Sequence, residues 1–299
     1  MKTKGKIGII VMKPHWGELN NIFYSRIEEE IRHFGYTPEI LHYDKFFIEI
    51  KKSLKFYYDE KNFKVNDYKM FFLTLFGSVN NFFLAEALLS AGANIKNSLA
   101  AINNANDKAK THLLLSRDGI KTLSAYMNFS QYDWRPLFSA ISDDKYIVKV
   151  RNGSWGAGVS RVDSKMSLIS TQELMASSGI DTSALIFQKY YEETAGTDMR
   201  VIVAGKKIVA AMERRSKGMD FRANLFGGGK AIKIEPSEKI KKMAIQAIKV
   251  LGLNYGGVDI LKTKQGPMVL EVNANPGLKI EEYTGVNVAR GIVKELLKD

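Results

Sequence analysis

Residues 255–277 read YGGVDILKTKQGPMVLEVNANPG. Apolar runs at Tyr255 to Leu261 and Met268 to Asn273 flank the turn Thr263-Lys264-Gln265-Gly266, so the stretch predicts a β-hairpin. Glu271 and Asn273 are two apart in the second strand and share a face. Asp259, in the first strand, can sit opposite them. Val258, Ile260, Leu270 and Val272 flank these polar residues, and carboxylates set into apolar strand sequence are costly without a compensating cation. Three oxygen donors on one wall suit a hard ion such as magnesium, which takes a few carboxylate or amide oxygens and completes its shell with phosphates. The same alternation also describes the solvent face of an ordinary hairpin. The tight turn Asn275-Pro276-Gly277 directly after the acidic strand favours the metal reading.

Working outward, Glu238 to Leu251 carries Ile240, Ala244, Ala247, Ile248 and Leu251 at helical spacing, and Val286 to Leu297 reads as a closing helix. Met199 to Ala204 and Lys207 to Glu213 flank Ala204-Gly205-Lys206 as a second hairpin. Ala184 to Tyr190 is a further strand, and Asp107 to Gly119 a helix closed by glycine. The second half is thus α+β with antiparallel hairpins. The first hundred residues differ. Lys6 to Val11, Asn20 to Phe34 and Pro38 to Tyr43 read strand, helix, strand, which implies a right-handed crossover and a parallel sheet. Tyr68 to Leu75 adds a strand and Val79 to Ala91 a helix ended by Gly92. The aromatic, basic stretch Phe46 to Lys64 reads as a strand pair or packed face rather than a nucleic-acid platform.

Between the strands of Tyr146 to Val159 lies Arg151-Asn152-Gly153-Ser154-Trp155-Gly156-Ala157-Gly158. Such a loop lets backbone N–H groups approach phosphate oxygens, although it also suits a plain hairpin turn. No GK[ST] follows, so it is not a Walker loop. Lys149 ends the strand feeding this loop, and Lys108 begins the helix after Asn106-Asp107; either can meet phosphate. Asp198-Met199-Arg200 opens a strand, and Arg222 and Asn224 follow the second hairpin, where arginine forks can grip carboxylate or phosphate. His15, His33, His42 and His112 have no metal spacing and read as structural or surface residues.

The 299-residue chain is 45% hydrophobic and 25% charged, the proportions of a globular protein. It has no cysteine, which excludes disulfides, thiolate metal sites and a cysteine nucleophile, and a cytoplasmic setting is expected. Phe71 to Phe76 and Phe82 to Leu89 are too short to span a membrane. The formal net charge of +12 suits an acidic partner, but its lysines are scattered rather than clustered.

Taken together, Asn106-Asp107-Lys108, Val148-Lys149 with NGSWGAGV, Gln188-Lys189-Tyr190-Tyr191, AGTDMR, GMDFRANL, GGVDIL and VLEVNANPGL resemble the ATP-grasp superfamily, and its RimK branch of glutamate ligases closely, over roughly residues 65 to 299. The resemblance implies an ATP-grasp fold with an N-terminal Rossmann-like domain (residues 1–100), a small subdomain bearing the glycine lid (101–187) and a C-terminal subdomain with the magnesium site (188–299). It implies that Lys108, Lys149, Gly153, Ser154, Trp155, Gly156, Gln188, Lys189, Tyr190, Asp198 and Asn224 bind the nucleotide. Within that set, the backbone of Lys189 and Tyr190 meets adenine, and Asp198 is the ribose- or nucleotide-side acid. Arg200 and Arg222 grip phosphate or acyl phosphate in catalysis. Asp259, Glu271 and Asn273 hold two magnesium ions, with manganese as a substitute. The implied activity is ATP-dependent amide formation through an acyl phosphate. It joins an amino acid, glutamate favoured, to the carboxylate of a peptide, protein tail or small molecule. Neither membrane nor nucleic acid is expected as a partner, and a homodimer or homotetramer is. The competing expectations are an ATP-grasp enzyme closing macrocycles in a ribosomal peptide, and a non-catalytic nucleotide- or nucleic-acid-binding regulator.

Overall fold

The computed structural model describes residues 3–11, 19–74, 79–130, 133–142, 145–152, 158–179, 181–218, 220–223, 225 and 228–298. β1 (Lys6–Val11), α1 (Leu19–His33) and β2 (Thr37–His42) form the expected strand–helix–strand unit. Phe46 to Lys64 forms three antiparallel strands rather than a pair: β3 (Phe46–Ile50), β4 (Leu54–Tyr58) and β5 (Lys61–Phe63). Phe56 and Phe63 are buried, whereas Phe47 is exposed. Phe46 packs edge-on to Phe63, and Phe63 stacks on Tyr68, with ring centroids 5.1 Å apart in both pairs. β6 (Tyr68–Leu73), α2 (Val79–Ser90) and β7 (Ile95–Lys96) complete a parallel sheet of order β2-β1-β6-β7.

Next come α3 (Leu99–Asn106), α4 (Lys108–Arg117), β8 (Ala125–Tyr126), α5 (Arg135–Ala140), β9 (Tyr146–Val150), β10 (Val159–Val162), α6 (Lys165–Ser177) and β11 (Leu185–Lys189). The strands make an antiparallel sheet of order β10-β9-β11-β8. Strand alternation sorts its residues. Tyr146, Val148, Leu185 and Phe187 pack with Trp134 and Leu168 into a small core. Ile147, Lys149 and Gln188 face the other way, toward the cleft described below.

The last part holds β12 (Thr197–Ala204), β13 (Lys207–Arg215), β14 (Lys230–Lys233), α7 (Glu238–Leu251), β15 (Tyr255–Thr263), β16 (Gly266–Asn273), α8 (Ile280–Thr284) and α9 (Val288–Leu296). Its sheet runs β14-β13-β12-β15-β16, antiparallel throughout. α7 buries the five apolar residues that its periodicity singled out and ends at Gly252, whose φ of 78° is the left-handed conformation of a helix C-terminus. The architecture is therefore mixed α/β and α+β, as expected.

One continuous core joins Ile10, Phe71 and Leu73 of the parallel sheet to Val201, Val203, Val258 and Ile260 of the five-stranded sheet. A second core packs Tyr24, Ile27 and Ile31 of α1 with Ile292, Val293 and Leu296 of α9. Buried Glu30 accepts from Arg290 Nε at 2.8 Å and from Asn287 Nδ2 at 2.6 Å, tying α1 to the end of the chain. No helix among the described residues is long and apolar enough to cross a membrane.

Candidate active site

Two β-bulges set the register on which the site depends. In the β15–β16 hairpin Thr263 pairs with Gly266 and Ile260 with Val269, but Asp259 pairs with Glu271. The register slips by one residue at Leu270. Without that slip Asp259 would oppose Leu270, and its carboxylate would lie on the opposite face from Glu271. The β12–β13 hairpin repeats the device. Ala204 pairs with Lys207 and Val203 with Ile208, yet after the irregularity at Ile202/Val203 Asp198 pairs with Arg214 instead of Glu213. A carboxylate that would have faced a carboxylate faces a guanidinium. Gly257 completes the wall: a Cβ there would stand 2.9 Å from Pro276 Cβ, so glycine lets the Asn275-Pro276-Gly277 turn fold back onto β15.

The resulting face is a lattice of charges. Asp259 is 1% exposed. Arg200 grips it bidentately, Nε to Oδ1 at 2.7 Å and Nη2 to Oδ2 at 2.6 Å, and Arg214 Nη2 donates to Oδ2 at 2.8 Å. Arg214 also holds Asp198 in a bidentate pair, Nε to Oδ1 at 2.7 Å. Burial works to raise the Asp259 pKa, but Arg200 and Arg214 overcome it and hold the carboxyl well below its usual range. Asp198 goes the other way: burial, with Asp259 adding repulsion, outweighs Arg214 and pushes it up to about 6. Glu271 lies against Asp259 and accepts from Asn273 Nδ2 at 3.3 Å.

Across the cleft stands Lys149, 6% exposed and without a hydrogen bond or ion pair among the described residues. Burial pushes its pKa down to about 8, with Lys108 adding repulsion and Glu271 and Asp259 opposing the shift. Burial likewise lowers Lys108, which Glu271 and Asp107 partly restore. Asp107 fixes that lysine at the head of α4, accepting from Ala109 N at 2.9 Å and Lys110 N at 3.1 Å, and it pairs with Arg151 at the foot of the glycine loop. Behind Lys149, Gln188 hydrogen-bonds His112. His112 is buried, in keeping with a structural role, and burial together with Lys149 lowers its pKa to about 4.

Lys108, Lys149, Gln188, Lys189 and Tyr190 line one cleft of about 510 Å³ together with Asp198, Arg200, Arg222, Asp259, Glu271 and Asn273. That volume is typical of a small-molecule site. Gly153, Ser154, Trp155, Gly156, Asn224 and His15 lie outside the described residues. Two details sharpen the expectations. The Lys189 and Tyr190 N–H groups donate to Ser124 O and Lys145 O, so any contact of this linker with a base falls to its other backbone groups. Asp198 has both oxygens engaged by Arg214, so it acts on the cleft through that arginine. Arg222 pairs with Asp220 at the rim, Nε to Oδ1 at 3.0 Å.

Sequence reasoning missed Arg214. Counting outward from the Gly205-Lys206 turn pairs Asp198 with Glu213, and only the bulge corrects the count. It also missed Tyr24, Arg26 and Thr74, which reach the cleft from the N-terminal part and carry no local motif. Leu123, Leu261 and Leu270 give the cleft an apolar side suited to a planar base.

The residues fit the implied groups. A buried ammonium without a partner is matched by an anion such as a phosphate. Two carboxylates pressed together beside an amide oxygen are a hard-donor set for magnesium. Asp259 Oδ2 accepts from both guanidiniums and Oδ1 from Arg200 alone, so Oδ1 is the oxygen with a lone pair left for a cation. No cluster of three or more His, Cys, Asp or Glu with metal-ligand geometry occurs among the described residues, so the set depends on Asn273.

Comparison with known proteins agrees. Residues 105–296 match the model of the RimK-like ATP-grasp domain. The chain is 33% identical over 280 residues to a "Probable alpha-L-glutamate ligase" of Haemophilus influenzae, covering 90% of this chain and 91% of that one. It is 36% identical over 203 residues to a "Probable alpha-L-glutamate ligase" of Legionella pneumophila, and there the match spans 68% of this chain and 66% of its relative. The solved structure "ATP-grasp ligase PsnB complexed with minimal precursor, Mg, and ADP" superposes with a TM-score of 0.71 at 18% identity, over 99% of this chain and 98% of that one. By this domain match and this identity along most of its length, the chain belongs to the RimK-like ATP-grasp family.

Proposed function

We propose that this chain is an ATP-dependent carboxylate–amine ligase that activates an acceptor carboxylate as an acyl phosphate and joins it to the amine of an amino acid, with glutamate favoured. One observation carries the reading: a single cleft sets the buried ammonium of Lys149, without a partner among the described residues, opposite the carboxylate pair Asp259 and Glu271. That is a site for a phosphate chain with its counter-ions. The relatives named glutamate ligases support the amino acid, and the neighbour solved with Mg and ADP supports the nucleotide and metal.

Asp259, Glu271 and Asn273 would hold magnesium, two ions in this reading, which supplies charge neutralisation to the phosphates. The chain's own groups do the rest. Lys149 and Lys108 offset phosphate charge from the far wall, and Gly153, Ser154, Trp155 and Gly156 cover it. Gln188, Lys189, Tyr190 and Asn224 hold the nucleoside end, and Asp198 steers Arg214. Arg200 and Arg222 stabilise negative charge as the acceptor oxygen takes the terminal phosphoryl group and ADP departs. In the second half-reaction the amine nitrogen bonds to the acyl carbon. The carbon–oxygen bond to phosphate breaks, phosphate leaves with the electron pair, and the amine proton passes to phosphate or water. The acceptor is a peptide, a protein tail or a small acid, the setting is cytoplasmic, and the chain assembles as a homodimer or homotetramer. The division at residues 100 and 187 separates the N-terminal, lid-bearing and metal-binding parts.

The test is an ADP-release screen of amino acids against acidic acceptor peptides, read by mass spectrometry. Ligation raises acceptor mass by one amino-acid residue. A loss of one water alone would mean cyclisation, and ADP release with no pair would end the ligase reading.

A further inference from the structure

Away from the charge lattice, the same cleft has a wall built by the two ends of the chain: Tyr24, Arg26 and Thr74 on one side, Lys279 and Glu281 on the other. Its hydrogen bonds have a fixed direction. Tyr24 Oη lies 3.1 Å from Thr74 Oγ1, which lies 3.0 Å from the Ile10 carbonyl. A carbonyl only accepts, so Thr74 donates to Ile10 and Tyr24 donates to Thr74. The Tyr24 oxygen therefore meets the cleft as an acceptor. Arg26 is held at two corners. Nε donates to Glu281 Oε2 at 3.0 Å and Nη1 donates to Glu29, while Glu281 Oε1 accepts from Ala289 N at 2.9 Å. Arg26 Nη2 has no partner among the described residues, so an oriented N–H pair points away from a guanidinium that two carboxylates already hold. Lys279 is half-buried and has neither hydrogen bond nor ion pair among the described residues. It is the cation of this wall that no carboxylate hydrogen-bonds among the described residues, with Glu282 also lining the cleft, and it follows the metal-wall residue Asn273 by one short turn.

We propose that this wall is the subsite of the incoming amino acid: Lys279 grips one of its carboxylates, Arg26 Nη2 directs that carboxylate, and Tyr24 Oη accepts from its amine. The assignment rests on the ligase reading and names where the second substrate sits. A carboxylate-bearing amine fits because the wall offers one ammonium without a hydrogen-bonded partner among the described residues, one directed donor and one acceptor. A phosphate chain is better served by Lys149, Lys108 and the metal wall. The clamp of α1 onto α9 through Glu30 holds Arg26 in place before any ligand arrives, which lowers the ordering cost of binding.

The test titrates L-glutamate, L-glutamine and L-isoglutamine calorimetrically into the full chain saturated with a non-hydrolysable ATP analogue and magnesium. Lys279→Met should weaken L-glutamate at least about tenfold, the loss of one charge-assisted contact, with the analogue's affinity changed less than about twofold. The penalty should vanish for whichever amide lacks the gripped carboxylate. Arg26→Lys, which keeps the charge and removes the fork, should show a smaller loss with the same amide pattern. Unchanged L-glutamate affinity in Lys279→Met, or an equal loss for all three ligands, overturns the subsite. If the wild type binds none of the three yet releases ADP with another amine, the subsite falls and the ligase reading stands. If no amine elicits ADP, both fall.

Discussion

The two sheets facing each other across the cleft carry charge in opposite ways. On the five-stranded sheet Asp198, Arg214, Asp259 and Arg200 form an unbroken chain, two bidentate pairs joined by a single Arg214–Asp259 hydrogen bond, with each buried charge answered by a neighbour. On the smaller sheet Lys149 is as deeply buried and has no hydrogen-bonded partner among the described residues. The first wall is complete without a ligand, and the second is complete only with an anion. Burial alone therefore does not mark a functional charge; burial without a local partner does. Within the first wall the same contrast recurs between Asp259, clamped by two guanidiniums, and Glu271, which is half-buried and held by one amide.

The largest effects should come from breaking the closed wall. Asp259→Ala should abolish ADP release, by roughly 10³-fold or more. It should also cost about 3–5 kcal/mol in urea unfolding, because Arg200 and Arg214 lose their shared carboxylate. Glu271→Ala should lose turnover to a similar degree at less than about 1 kcal/mol, since it releases the Asn273 amide and the contact with Asp259 but leaves no guanidinium unpaired. Equal stability losses in the two variants would erase the contrast between them, and near-normal rates in both would remove the metal assignment.

Next in size is the open wall. Lys149→Met should weaken ATP about 10- to 100-fold by equilibrium binding. The ligand-free chain should melt no lower than wild type, because a desolvated charge is removed. A clear drop in Tm would show that Lys149 is paired at rest.

A smaller effect is set by pH. The His112 pKa is lowered to about 4 by burial and by Lys149, so the folded state binds fewer protons than the unfolded state between about pH 6.5 and 4. Its contribution is fully present above the unfolded pKa and is lost as pH falls toward 4, by up to about 3 kcal/mol. His112→Asn should flatten that part of the stability–pH curve, measured by urea unfolding from pH 7 to 4. An unchanged slope would place the acid sensitivity elsewhere. Smallest of all, Arg222→Ala should cost under about 0.5 kcal/mol in thermal unfolding, because its pair with Asp220 sits at the exposed rim. A larger loss would mean that Arg222 belongs to the closed wall.

Much of the fold was legible because periodicity is local. Five apolar residues at helical spacing specified α7 and its buried face, and the Lys6 to Tyr43 pattern specified a parallel strand–helix–strand unit. Short motifs specified Lys149, Arg200, Asp259, Glu271 and Asn273 as residue types suited to phosphate and metal. Less visible were α3, α5, α6 and β14, whose apolar patterns are short or weak, and the contribution of Tyr24, Arg26 and Lys279 to the cleft. Arg26 and its partner Glu281 are 255 residues apart, and no local pattern joins such distant positions.

What the sequence determined alone was the identity of the donors and the strands that carry them. What only the tertiary structure decided was which donors face one another. Side chains on a strand alternate with a period of two, so one extra residue reverses the face of everything beyond it. The slips at Leu270 and at Ile202/Val203 place Asp259 beside Glu271 and Arg214 beside Asp198. Whether a strand bulges at such a point depends on what the neighbouring strands and the folded-back Pro276 turn will accommodate, and that is settled by packing across the whole sheet.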